Sequence, residues 1–215
     1  MRTTTEPFKE RQRRAREEAI LDAAGEVLLD RGFQAMSMEE VAARVGIAKG
    51  TIYLHFASKD ALAAALAARG IVDLTAFMDG FDPALPVLER LSRILHAMLE
   101  PRSRHAHKMG LLGGDMQEMR RVIASDTRCT ALVAGLRARL TALAEEGQRR
   151  GELDPAQHPT AVVGALFALL SPRAYHDMRA TTDITAERLN ASLIRLYLRG
   201  IARDPTAVPA DSRES

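Results

Sequence analysis

The sequence predicts an all-α protein of about nine helices, and its composition and punctuation both lead to that prediction. Ala, Leu and Arg, which favour helices, are abundant, whereas aromatic residues make up 4% of the 215 residues and Trp is absent. Apolar residues make up 47% of the chain, which is enough for a packed core. Gly, Pro and capping residues divide the chain at intervals that suit helices.

The first predicted helix runs from about residue 10 to residue 30 and ends at Gly32. Its apolar residues recur at the spacing of an amphipathic helix, at Ile20, Leu21, Ala24, Val27 and Leu28. The run Lys9–Arg16 carries five cationic residues and the single acidic Glu10. Such local clustering is typical of a phosphate-binding segment, but a solvated helix start or a disordered tail has the same composition.

Two short helices are predicted next, separated by Gly46. Ser37 and Glu40 have the spacing of a capping box, which indicates the start of the second helix. Gly46 permits a tight turn into a third helix over about residues 48–55. An apolar seam packs both helices on the first and consists of Val41, Val45, Ile47, Ile52 and Phe56. The third helix keeps polar and apolar groups exposed and is small enough for a DNA major groove.

The rest of the chain is predicted to form a second helical unit. Ser58 caps a fourth helix that runs to about residue 80. Five later helices are predicted at 84–100, 104–123, 126–150, 157–179 and 186–203. The predicted organisation is a flexible tail over 1–9, a helix-turn-helix domain over 10–57, a helical effector-binding and dimerisation domain over 58–203, and a flexible tail over 204–215.

Several classes of protein are disfavoured by what the sequence lacks. The single Cys129 excludes an internal disulfide and a thiol-rich metal site, and His105 and His107 do not share a helix face, so no metal is expected. The N-terminus has no apolar signal segment, and the most apolar run, 161–170, is too short to span a bilayer. We therefore expect a cytoplasmic protein with no membrane partner.

A helical enzyme is the main alternative from another functional class. The chain has no G-x-S-x-G, no Gly-rich phosphate loop, no H-E-x-x-H and no recognisable pair of catalytic carboxylates. No catalytic residue and no cofactor are expected. A helix-turn-helix that serves only as a scaffold for another protein remains an alternative, and the sequence does not decide between a repressor and an activator.

The segment from Gly32 to Phe56 resembles the DNA-binding domain of the tetracycline-repressor-type (TetR) family of regulators. The shared markers are Gly32-Phe33, Ser37-Met38, Val41-Ala42, Val45-Gly46-Ile47, Lys49-Gly50-Thr51-Ile52-Tyr53, His55-Phe56 and Ser58-Lys59-Asp60. The resemblance covers about residues 15–66, and only GELD at 151–154 and LYLRGI at 196–201 echo it later. It implies a regulator that binds double-stranded DNA at a pseudo-palindromic operator.

The resemblance also implies roles for individual side chains. Lys49, Tyr53 and Lys59 would contact phosphates, and His55 would contact the backbone or a base edge. Tyr53 packing on the helical core, and His55 acting as a helix-end cap, are the structural alternatives. Ala48 stands where Ser or Thr is common in the family, and Leu54 stands where a polar or aromatic residue is common, so the operator sequence does not follow. The full expected DNA-binding set is Ser37, Ala48, Lys49, Gly50, Thr51, Tyr53, Leu54, His55, Lys59, Arg13 and Arg14.

The last two predicted helices have apolar residues on more than one face, and the resemblance implies a homodimer through a four-helix bundle. The expected interface is Val162, Val163, Leu166, Leu169, Leu170, Leu189, Leu193, Leu196 and Tyr197. An effector pocket is implied among the middle helices, where Met suits a permissive apolar site. Its candidates, each of which fits plain core as well, are Phe77, Met78, Phe81, Met98, Met109, Met116, Met119, Phe167 and Tyr175. The expected effector is a small apolar or amphipathic molecule.

Overall fold

The computed structural model describes residues 7–99, 116–169, 178 and 181–208. The described residues contain no β-strand, only an isolated bridge between Leu153 and Ala202. Nine α-helices have described bounds: α1 Phe8–Ala35, α2 Met38–Val45, α3 Lys49–Tyr53, α4 Lys59–Asp79, α5 Val87–Leu99, α6 Met116–Ser125, α7 Thr127–Arg149, α8 Pro159–Leu169 and α9 Ala186–Ile201. The prediction of an all-α fold is confirmed.

Helix α1 is longer than predicted at both ends. It continues to Ala35 across a kink at Gly32, whose φ of 76° and ψ of 170° are not helical. At its start, the basic segment is helical from Phe8, and Ile20 is its first buried residue. The basic residues therefore lie on a helical arm, which we define as residues 8–19 of α1.

Two apolar clusters form the core. The smaller cluster joins α1, α2, α3 and the first half of α4, whereas the larger cluster joins the second half of α4 to α5, α7, α8 and α9. Leu62 and Leu66 of α4 belong to the smaller cluster, and Ile71 and Leu74 belong to the larger one. Helix α4 is thus a shared element, with no break in packing at residue 58.

Helix α4 is long and apolar enough, by length and composition alone, to cross a membrane. Half of its most apolar window is buried inside the protein. That burial is what a core helix shared by two clusters requires, and the same property explains its composition without a bilayer.

The smaller cluster also contains two residues from the second half of the chain. Val122 of α6 and Cys129 of α7 are each 1% exposed and pack with the residues of α1 to α4. The Cys129 Sγ donates to the Ala64 carbonyl at 3.1 Å. Burial and the nearby Asp126 raise the pKa of Cys129 to about 11, so this residue is a buried thiol.

Helix α9 and the residues after it, up to Val208, make contacts with the rest of the protein. Tyr197 of α9 donates its hydroxyl to the Val162 carbonyl at 2.9 Å, which ties α9 to α8. After α9, Asp204 caps the short 3-10 helix Pro205–Ala207, and Val208 packs against the larger cluster. The tail predicted from residue 204 therefore begins with a short 3-10 helix, and its flexibility stays a prediction.

Candidate nucleic-acid interface

The turn between α2 and α3 has the left-handed backbone that its glycine allows. Gly46 ends α2 with a φ of 75° and a ψ of 32°, and its N–H donates to the carbonyls of Ala42 and Ala43. A Cβ at this position would meet no atom within 4 Å. Glycine is therefore required by the left-handed backbone and not by a lack of space.

The start of α2 is capped on one side only. Ser37 Oγ accepts from the Glu40 N–H at 3.2 Å, as predicted. The Glu40 carboxylate does not return to Ser37 and instead accepts from Arg31 Nε at 3.1 Å. The expected capping box is thus half formed, and its second member connects α2 to α1.

Helix α3 presents one face to the core and the other to solvent. Ile52 is fully buried, and Val45, Ile47 and Phe56 pack around it against the smaller cluster. On the opposite face, the Tyr53 side chain is 43% exposed and Leu54 is 79% exposed. The exposed tyrosine does not fit the alternative in which its ring packs into the core. The helix offers an accessible surface with a phenol and an apolar side chain side by side.

Gly50 lies on the exposed part of α3. A Cβ there would meet nothing within 4 Å, and its φ is not positive. Neither packing nor backbone conformation within the chain calls for glycine at this position. The expectation that it allows another molecule to approach the backbone stays a prediction.

His55 lies where sequence reasoning did not expect it. Its side chain is 10% exposed, and its Nδ1 lies 3.2 Å from Glu17 Oε1 on α1. Burial raises the pKa of Glu17, but hydrogen bonds from His55 and Arg13 outweigh that effect, so this pKa lies below its ordinary value of 4.5. The structure therefore places His55, in the turn after α3, in contact with Glu17 of α1, and its predicted contact with DNA stays a prediction.

Two lysines stand at neighbouring helix starts. Lys49 begins α3 and forms an ion pair with Glu39 of α2. Lys59 begins α4 after the capping residue Ser58, and its Nζ donates to the Gln34 carbonyl at 3.0 Å. Helix starts that carry cations are suited to phosphate oxygens, because the free N–H groups and the side-chain charge act together.

The helical arm adds further cations beside the α2–α3 turn. A groove of about 700 Å³ runs between them. It is lined on one side by the arm and on the other by the turn and the end of α3: Lys9, Gln12, Arg13, Ala15, Arg16, Ala19, Val45, Gly46, Ile47 and His55. Arg13 is held in place by Glu17 at 2.9 Å. The predicted basic arm and the helix-turn-helix thus form one surface.

The residues expected at a dimer interface are partly buried inside the protomer and partly exposed on its surface. Six of them are buried inside the protomer: Val162, Val163, Leu166, Leu189, Leu193 and Tyr197. Val162, Val163, Leu166 and Tyr197 belong to the chain's own larger cluster, so their apolar faces are covered within the protomer. Leu169 is half-buried, Leu196 is 70% exposed, and Leu170 lies outside the described residues.

The expected effector-pocket residues are divided in a similar way. Met98 is buried in the larger cluster, while Phe77, Met78, Phe81 and Phe167 pack partly buried against it. Phe77 and Phe81 form an edge-to-face ring pair. Met116 and Met119 lie in α6 with side chains that are not described, and Met109 and Tyr175 lie outside the described residues.

Sequence reasoning missed the acidic partners of the interface. Glu17, Glu39 and Asp60 pair with His55, Lys49 and Arg121 respectively. A pattern of local spacing does not reveal these pairs, because the two residues of each pair belong to different elements of the fold.

Fold and site together define a helix-turn-helix DNA-binding regulator. Residues 20–66 match the family model described as "Bacterial regulatory proteins, tetR family". The matched residues run from α1 to the first half of α4, so the helix-turn-helix region of this chain is similar to that of the TetR-family regulators.

Three individual comparisons place the chain among characterised proteins. It is 27% identical over 205 residues to the transcriptional regulator AlkX of Mycobacterium tuberculosis. The aligned residues cover 94% of this chain and 82% of AlkX. It is 44% identical over 55 residues to the transcriptional activator FasR of Mycolicibacterium smegmatis, covering 26% of this chain and only 25% of FasR. The fold is similar to that of AibR in complex with isovaleryl coenzyme A and operator DNA, with a TM-score of 0.60 and 19% identity, covering 84% of this chain and 97% of AibR.

Proposed function

We propose that this chain is a cytoplasmic repressor that binds a pseudo-palindromic operator as a homodimer and is released from it by a small apolar or amphipathic effector. The observation that carries the DNA-binding part is the exposed face of α3. Tyr53 and Leu54 are accessible there, between the cation-bearing starts of α3 and α4. A short helix with this exposure fits a major groove, with phosphates held on either side.

The proposed dimer uses the outer faces of α8 and α9. Leu196 is the most exposed large apolar residue described on α9. On α8 the exposed positions are small, at Ala161, Gly164, Ala165 and Ala168. Small residues allow a second helix to approach closely, and a two-fold partner would bring Leu196 out of water. The inner faces, which carry the buried residues, stay with the protomer core.

The proposed effector response depends on contacts between the middle helices and the DNA-binding part. Arg121 of α6 pairs with Asp60 at the start of α4 at 3.1 Å, and Cys129 of α7 contacts Ala64. A molecule that bound among α4 to α7 with different affinity for two arrangements would change the position of Lys59. AibR, whose structure holds both isovaleryl coenzyme A and operator DNA, supports this kind of response in a protein of similar fold.

The first experiment is a salt-dependent binding assay. The purified protein is titrated against the DNA upstream of its own gene, with an unrelated duplex as competitor. We expect competitor-resistant binding of one dimer per pseudo-palindrome, weakening steeply as salt rises, because each neutralised phosphate contributes about 0.9 to the salt slope. Equal weak binding to all genomic fragments would refute a sequence-specific regulator. Lys49→Ala with Tyr53→Ala should abolish binding and leave helicity intact.

Activation is the second candidate, because the relative FasR is an activator. The sign of regulation depends on where the operator lies relative to the promoter. A reporter driven by the bound promoter, measured with and without the protein, decides between the two: expression falls for a repressor and rises for an activator.

A further inference from the structure

Lys49 and Lys59 lie on the same surface, but their charges are compensated differently. Lys49 Nζ forms an ion pair with the Glu39 carboxylate. Lys59 Nζ donates to the Gln34 carbonyl and lies 4.5 Å from the centre of the Phe33 ring, and neither partner carries a charge. Lys59 therefore has only uncharged partners in these contacts, whereas an exposed carboxylate competes with a phosphate for the Lys49 ammonium.

Glu39 occupies a position that faces the expected DNA. It is the second residue of α2, its side chain is 52% exposed, and its partner Lys49 begins α3. The ion pair lowers the pKa of Glu39 and raises that of Lys49, so both groups are charged at neutral pH. A carboxylate on this surface repels phosphates. It adds to DNA binding only where it finds a hydrogen-bond donor on the DNA.

The donors that a major groove presents to a carboxylate are base amino groups. Adenine N6 and cytosine N4 both carry amino groups there, and cytosine N4 is the one that Glu and Asp usually accept from, whereas phosphates, thymine O4 and guanine O6 present only acceptors. A duplex without a suitably placed amino group leaves Glu39 beside phosphates, where its best partner is still Lys49. A duplex with one provides Glu39 with a new partner and frees Lys49 for a phosphate.

We infer that Glu39 is a base-reading residue: it accepts a hydrogen bond from a cytosine amino group in the major groove, and on other DNA it withholds Lys49 from the phosphates. This inference rests on the proposed DNA-binding function. Two consequences follow. Lys49 adds little to the salt slope on non-specific DNA, and one C·G pair in each half-site is preferred because of Glu39.

The test compares the wild type with Glu39→Gln and a control, Glu26→Gln. Glutamine keeps the size of the side chain, removes its charge and adds a donor. Glu26 is exposed on α1 and pairs with Arg44, which keeps its second acidic partner Asp30 in the control. Each protein selects duplexes from a random-sequence library, and its affinity for the selected duplex and for a scrambled duplex is measured over a range of salt.

The expected result for Glu39→Gln is loss of one C·G preference in each half-site and about a tenfold fall in the ratio of specific to non-specific affinity. Its salt slope on the scrambled duplex should rise by about 0.9, because Lys49 becomes free for a phosphate. The double variant with Glu39→Gln and Lys49→Gln should not show that rise. Lys49→Gln alone should leave the salt slope on the scrambled duplex close to the wild-type value. Glu26→Gln should behave as the wild type does.

The inference requires both the loss of the C·G preference and the rise in the salt slope. The inference is overturned if Glu39→Gln selects the same base at every position, if its slope on the scrambled duplex is unchanged, or if Glu26→Gln produces the same effects. A wild type that enriches no sequence at all would instead refute the proposed function. Helicity and the unfolding midpoint of each variant, measured in parallel, confirm that these comparisons concern folded protein.

Discussion

Individual side chains on the α2–α3 surface are held by partners on other helices. Arg13 and His55 meet at Glu17, Lys49 meets Glu39, and Lys59 rests on the Gln34 carbonyl. Held side chains lose less rotamer freedom when they bind a phosphate. The surface is therefore partly organised before DNA binds. Each partner fixes the position of the side chain that it contacts.

The Glu17 contact makes a contribution to stability that depends on pH. Because the folded chain lowers the pKa of Glu17, the ionised carboxylate stabilises the fold above its ordinary pKa of 4.5, and this contribution is lost as pH falls through the lower, folded value. We expect Glu17→Gln to lower the free energy of unfolding by about 0.5 kcal/mol at pH 6. Urea unfolding of both proteins from pH 6 to strongly acidic solution should show the difference disappear at the acidic end, and a constant difference would contradict the assignment.

Gly46 is the second residue with a definite energetic role. Its φ of 75° is unfavourable for any side chain, so we expect Gly46→Ala to destabilise the fold by about 1 kcal/mol, although there is space for a methyl group. Gly135 of α7 is the matched control, since its surroundings are equally open and its φ is not positive. Gly135→Ala should stabilise the helix by about 0.5–1 kcal/mol. Urea unfolding measures both changes, and two shifts of the same sign would refute this explanation.

Helices α8 and α9 show that an apolar stripe does not reveal whether it packs within the protomer or against a second copy. Periodicity predicted correctly that these helices have wide apolar faces, but the larger cluster of the same chain covers most of them. Tyr197 illustrates the point: its hydroxyl donates to the Val162 carbonyl within the protomer. What remains outside is Leu196 and a row of small residues on α8.

Leu196 is the residue that tests the proposed dimer. Burying a leucine contributes about 1.5–3 kcal/mol, and a two-fold interface buries two copies. We therefore expect Leu196→Glu to raise the dimer dissociation constant at least ~100-fold while helicity is kept. Sedimentation equilibrium measures this change. Val72→Glu, at an exposed apolar position on α4, is the control and should leave the dimer intact; equal effects would argue against the α8–α9 face.

On the scale of the whole molecule, the DNA-binding part shares its apolar core with the second half of the chain. Val122 and Cys129 come from the second half of the chain but complete the smaller cluster, and Arg121 pairs with Asp60 above them. Helix α4 contributes to both clusters. A change among the middle helices therefore reaches the start of α4 through direct packing.

This shared packing predicts that a substitution in α6 weakens the DNA-binding part. Val122→Ala removes about two methylene groups from a fully packed site and should cost about 2 kcal/mol of unfolding free energy. Hydrogen exchange should show less protection in α1 and α2. Val163→Ala makes the same chemical change in the larger cluster and should affect α8 and α9 first. Protection of α1 and α2 that was insensitive to Val122→Ala would mean that the two parts are independent.

Local structure could be predicted from the sequence, because helix caps, left-handed glycines and apolar spacing depend on residues a few positions apart. The all-α fold, the starts of α2 and α4 at Ser37 and Ser58, and the turn at Gly46 all follow from such signals. The partly buried His55–Glu17 contact, the partners of Lys49 and Lys59, and the completion of the smaller cluster by Val122 join residues distant in sequence. Only the tertiary structure decided these, because which faces cover one another depends on packing over the whole chain and not on the period of any single helix.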